Sequence, residues 1–198
     1  MHRLVIRAVE EFLRDTYGEA LWRDVATAEG ARPIAPPEPG GGQPGSPGRI
    51  AHGEALITSA AIILEKPAEE LFEDLGAWLA RCEAIRRLLR FSGRDFGDFV
   101  LSLEELPGRT RYVIPDLDMP RIEVARDGDG TIRLILAGAA QGWTAILGGL
   151  LRAMADDYGA LGLIVVEGCE IDVHISDHAF AEGREFRLGQ ACLRTELR

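Results

Sequence analysis

The sequence predicts an α+β domain: a helical N-terminal half, then an antiparallel sheet packed by one long helix. Three observations carry this. Apolar residues recur at i, i+4 spacing through the N-terminal half, the period switches to two after Pro120, and a last helical stripe runs from Gln141 to Tyr158. At 198 residues the chain can bury one substantial core. We read residues 1–198 as one domain, with a helical subdomain over 1–64 and an α+β subdomain over 65–198.

The first helix is expected from His2 to Tyr17, where Leu4, Ala8 and Phe12 share one row and Val5, Val9 and Leu13 the next. Gly18 suits its C-terminal cap. A second helix, Glu19 to Ala28, carries Leu21, Trp22 and Val25 inward and ends before Gly30. Residues 31–49 hold most of the prolines and show no apolar period, so they read as a flexible connection, either a tolerated insertion or a docking segment. Helices resume over Gly53–Leu64 and again after Pro67, a residue suited to a first helical turn and followed by Glu69 and Glu70. Leu71, Leu75, Trp78, Leu79 and Cys82 form the expected face of that helix. A short helix over Glu83–Arg90 precedes the break at Ser92-Gly93.

The next helix begins near Asp95 and carries Phe96, Phe99, Val100, Leu103 and Leu106. It is expected to stop at Pro107-Gly108, with an extended run beyond. After Pro120, Ile122 and Val124 alternate against Ile132, Leu134 and Leu136 across Asp127-Gly128-Asp129-Gly130, a hairpin signal. The long helix follows with Trp143, Ile146, Leu147, Leu150, Leu151, Met154 and Tyr158 on one stripe. Strands are then expected in "LIVVEGCEIDVHI", with Gly168 as a bend or bulge, and in "EFRLG".

Apolar content of 46% and charged content of 27% suit a globular protein. A net charge of −10 argues against nucleic acid and anionic membranes, which need a basic surface. Aromatic content of 7% gives little for base stacking. Lys66 is the single lysine among 22 basic residues, a sign of codon bias or of a working arginine surface. Cys82, Cys169 and Cys192 form no C-x-x-C pair and suit a reducing compartment. No apolar run reaches ~18 residues, and "MHRLVIRAVEEFLRD" lacks the features of a signal peptide. A cytoplasmic location is expected.

Chemistry-bearing motifs are sparse. No nucleophile–base pair or phosphate loop stands out, so an enzyme is not expected, and "PGGGQPG" has no strand before it. Asp127-Gly-Asp-Gly resembles the start of a calcium loop, but Gly138 stands where the twelfth-position Glu belongs. Cys169, His174, His178 and Cys192 have the residue types of a zinc site, yet their spacing matches no standard finger. Cys169 and His174 should also fall on opposite faces of a regular strand.

The order of elements resembles the heme nitric-oxide/oxygen-binding (H-NOX) domain family. Gly18 and Trp22 look like the family's G-x-x-x-W. Pro115 to Pro120 is similar to the segment after its heme-ligand helix, and Ile132–Leu136, Gly142-Trp143 and Leu147-Gly148 fall in matching order. The resemblance implies a proximal histidine at Pro107 and a Y-x-S-x-R motif at Leu136, Gly138 and Ala140, all of them substituted here. It also implies pocket positions at Val5, Pro120, Ala145 and Gly149. Proline offers iron no lone pair, and no histidine lies between His52 and His174.

No heme held in the family manner is therefore expected. The glycine-rich elements either close up backbone to backbone or leave an apolar cavity for another ligand. The family implies a regulatory domain acting in trans on a signalling partner, a histidine kinase or a cyclic-nucleotide enzyme. The alternative is a sensor of a tetrapyrrole or other apolar small molecule with a non-standard ligand.

Overall fold

A computed structural model of the chain describes residues 2–29, 50–113, 117, 119–138 and 141–177. The Pro/Gly-rich stretch 31–49 and the strand expected at "EFRLG" lie outside the described residues.

Four helices build the first packing unit: α1 (His2–Tyr17), α2 (Glu19–Ala28), α3 (Ile50–Leu64) and α4 (Ala68–Arg81). Gly18 joins α1 to α2 at φ 92°, a conformation open to glycine, and its N–H donates to the Arg14 carbonyl. Phe12, Leu13, Val25, Ile57 and Leu71 are fully buried together in this cluster, where Ala145 of a later helix joins them. On α4 the buried residues are Leu71, Phe72, Leu75, Gly76 and Ala80. Trp78, Leu79 and Cys82, expected on the inward face, are only half-buried. The buried face is thus rotated toward the small residues, because α4 meets a helix there.

The helices α5 (Glu83–Arg90) and α6 (Phe96–Ser102) follow. Asp95 caps α6, its carboxylate accepting the Asp98 N–H at 2.8 Å. The expected stop at Pro107 is wrong. A 3-10 turn, Leu103–Glu105, leads into α7 (Leu106–Val113), with Pro107 as its second residue. Proline breaks helix interiors, but in a first turn its missing N–H has no intrahelical acceptor to lose.

The sheet has four antiparallel strands in the order β1-β2-β4-β3: β1 (Arg121–Arg126), β2 (Ile132–Ala137), β3 (Leu161–Glu167) and β4 (Glu170–Asp177). The expected hairpin joins β1 to β2. Asp127 N–H donates to the Thr131 carbonyl at 2.8 Å, and the Asp129 carboxylate accepts the Thr131 N–H at 3.0 Å. That bond holds the Asp129 carboxyl below its usual range. "LIVVEGCEIDVHI" is two strands, and Gly168, at φ 60°, begins the tight Gly168-Cys169 turn between them.

The long helix α8 (Gln141–Tyr158) covers one sheet face. Leu147, Leu151 and Met154 pack there with Ile122, Ile132, Leu134, Leu136, Ile171 and Val173, and α6 adds Phe96, Phe99 and Val100. α8 therefore serves both clusters, and its contact with α4 is where they meet.

Candidate functional site

The α4–α8 contact is a seam of backbone on backbone. A β-carbon on Gly149 would collide with the Glu73 carbonyl oxygen and sit 2.7 Å from its carbon and 3.1 Å from the Ala77 nitrogen. A β-carbon on Gly76 would likewise strike the Ile146 carbonyl, lying 2.8 Å from its carbon. Gly142 and Gly148 extend the fit: side chains there would press on the Phe72 ring at 3.1 Å and on Val166 at 2.8 Å. Arg152 ties the seam by reaching Glu73 at 2.5 Å and donating to the Ile164 carbonyl at 3.2 Å.

The positions assigned to the pocket by resemblance fall into separate packings. Ala145 and Gly149 lie on α8 beside α4, as just described. Leu136 is 1% exposed and belongs to the sheet cluster, and its N–H donates to the Cys169 carbonyl at 2.9 Å. Gly138 is exposed after β2 at φ 68°. Pro120 is buried just before β1, Pro107 is half-buried in the first turn of α7, and Val5 is half-buried on α1. Ala140 lies outside the described residues. Gly76 was not singled out from the sequence, although its i+4 spacing to Ala80, like that of Ala145 to Gly149, marks two small-residue strips.

Over the seam lies an open groove of about 480 Å³, lined by Glu69, Glu70, Glu73, Thr144, Arg152 and Val166 among others. Its rim is acidic. Among the described residues, the fully buried Thr144 hydroxyl has no hydrogen-bond partner.

Other candidate ligating groups stay apart. His174 is exposed on β4, with Nδ1 3.0 Å from the Thr131 hydroxyl. Cys169 is exposed in the β3–β4 turn, and half-buried Cys82 donates its thiol to the Trp78 carbonyl at 3.5 Å. Burial raises the Cys82 thiol pKa, with Glu11 and Asp15 adding to it, so the thiolate is disfavoured. Among the described residues, no group of three His, Cys, Asp or Glu side chains is placed to hold a metal ion. His178 and Cys192 lie outside them.

A family model described as Haem-NO-binding matches residues 51–161. The chain belongs to the Haem-NO-binding family. No curated protein matches the sequence significantly, but solved H-NOX structures do match the fold. An H-NOX protein from S. oneidensis in the Fe(II)NO ligation state superposes with a TM-score of 0.69 at 14% identity, covering 89% of this chain and 100% of that one. A mutant H-NOX protein from T. tengcongensis gives 0.69 at 14%, covering 91% and 100%. The Fe(II) unliganded H-NOX protein from K. algicida gives 0.67 at 13%, covering 91% and 99%. At these identities the likeness is one of fold.

The residues at the positions that the resemblance assigns do not fit a heme gripped through them. Pro107 has no lone pair to give iron. Leu136, Gly138 and Ala140 have no side-chain donor for a carboxylate, and Gly149 is pressed against another helix's backbone.

Proposed function

We propose that this member of the Haem-NO-binding family is a regulatory domain, not an enzyme. It acts by contact, in trans, on a signalling partner, and it holds no heme in the family manner. The partner class is a histidine kinase or a cyclic-nucleotide enzyme; one structure with the same fold is described as an oxygen-binding H-NOX domain related to soluble guanylate cyclases. The same reading places the protein in the cytoplasm and treats residues 1–198 as one domain. Among the described residues, no helix is long and apolar enough to cross a membrane.

The α4–α8 seam carries this proposal. To admit a ligand between these helices, α4 would have to leave α8 and uncover apolar side chains such as Leu71, Phe72 and Leu75. Each costs about 1.5–3 kcal/mol to expose. In the family that cost is offset by an axial bond and charge-assisted bonds to the propionates; here the side chains for both are missing. The absorption spectrum of the purified protein, with iron analysis, is the test. Colourless, iron-free material is expected, and a Soret band with stoichiometric iron would overturn the proposal.

A second reading, a sensor of a small molecule, is favoured by one observation. The buried Thr144 hydroxyl beside the seam groove, without a hydrogen-bond partner among the described residues, is a polar group of the kind that ligands or water usually satisfy.

A further inference from the structure

The end of α5 and the turn that follows it hold two large apolar side chains out in solvent from a rigid support. Leu88 is 67% exposed and Phe91 82%, and their i, i+3 spacing puts them on one side of the helix. Behind them the turn is tied down. Tyr158, buried at the end of α8, donates its hydroxyl to the carbonyls of Arg90 and Gly93, each at 3.1 Å. The Arg90 guanidinium lies 3.9 Å over the Tyr158 ring, and Arg86 reaches Asp157 at 2.7 Å. A β-carbon at Gly93 would sit 2.8 Å from the Asp98 carbonyl carbon, so the turn is packed flush on α6. Phe91 is presented by an ordered scaffold, which lowers the entropy cost of docking on it.

The charge around these side chains runs against that of the whole chain. Beside Phe91 is an open groove of about 570 Å³, lined by Arg90, Arg94, Asp98 and Leu101 among others. Arg109 bonds to Ser92 at its edge at 3.0 Å, and Arg87 stands beside Leu88. On a chain of net charge −10, this is a local cluster of cations. Each of these arginines has a carboxylate of its own, but the pairs stand in water and are weak: Arg94–Asp98 leaves the Arg94 side chain 92% exposed, and Arg87–Glu83 and Arg109–Glu105 are open on both sides. Such arginines can exchange an internal carboxylate for one on a partner.

We infer that this surface docks a protein segment presenting carboxylates around an apolar side chain, most simply an acidic amphipathic helix. The apolar residue covers Leu88 and Phe91, and the carboxylates meet Arg87, Arg94 and Arg109. Leu88 and Phe91, bare among these arginines, call for a partner that brings apolar surface together with its carboxylates, which the phosphate backbone of a nucleic acid does not. The inference rests on the reading that this domain works by contact with a partner. Its test is separate, because it reads docking at named residues and not color or iron.

Isotope-labelled full chain is titrated with two synthetic helical peptides that share apolar residues and differ in flanking Glu or Lys, and amide shifts are followed. With the Glu peptide, saturable shifts are expected at residues 87–94. Affinity should fall about tenfold from low to high salt and about tenfold in Arg94→Glu and Arg94→Gln, with binding lost in Phe91→Ser. The inference is overturned if those amides stay unmoved, if the Lys peptide binds equally well, or if sedimentation shows a dimer of the chain that Phe91→Ser separates.

Discussion

Along the α4–α8 seam two helices meet with no side chain between them at Gly76 and Gly149. At the end of α5, Leu88 and Phe91 stand mostly in solvent. The contrast separates two uses of the same scaffold. In the seam, glycines let the two backbones touch, so the space between the helices is filled by the protein itself. At the turn, apolar volume has been kept outside on a support held by Tyr158.

The largest expected effect breaks the seam. Gly149→Ala and Gly76→Ala each place a methyl group against a carbonyl of the facing helix. Each should cost about 3 kcal/mol in chemical denaturation, the upper range for overpacking; a loss below about 0.5 kcal/mol would mean that the helices part readily.

Next comes Tyr17, which links α1 to α4 beside the seam by donating to Asp74 at 2.5 Å. Burial first, then this bond, raise the phenol's pKa above its ordinary value. The folded state therefore favours the protonated phenol. Its contribution is full below about pH 10, the unfolded value, and is lost as pH rises beyond that. Denaturation midpoints should fall in that alkaline range, and Tyr17→Phe should flatten the slope; an unchanged slope would assign it elsewhere.

The smallest effect lies on the other side of the comparison. Phe91→Ser and Leu88→Ser should change stability by no more than about 0.5 kcal/mol, measured by the same denaturation. A larger loss would make these side chains part of the core.

Much of the fold is legible in the sequence for local reasons. The bounds of α1, α2, α5 and α8 follow from apolar stripes that end at glycine or at a change of period, and Asp127–Gly130 announces the first hairpin. What is not legible depends on partners distant in sequence. Pro107 reads as a stop because nothing local says that a 3-10 turn will restart the helix before it. The buried face of α4 is rotated toward Gly76 because α8 lies there, a contact invisible from α4 alone. Gly168 reads equally as a bulge or as a turn until β3 is seen to pair with β4. The candidate site is legible only through the family resemblance. Leu88 and Leu89 are adjacent, and the fold alone decides which of them is buried.

The central proposal is that the protein holds no heme in the family manner, its α4–α8 seam being closed by backbone on backbone. Hemin titration of the full chain, alongside Pro107→His, tests this most directly, because the variant supplies a histidine at the position the family resemblance assigns to the axial ligand without touching the seam. No saturable one-to-one complex is expected for either protein, only weak, non-stoichiometric absorbance. A sharp Soret band reaching an endpoint at one equivalent, in the native chain or in the histidine variant, would contradict the account.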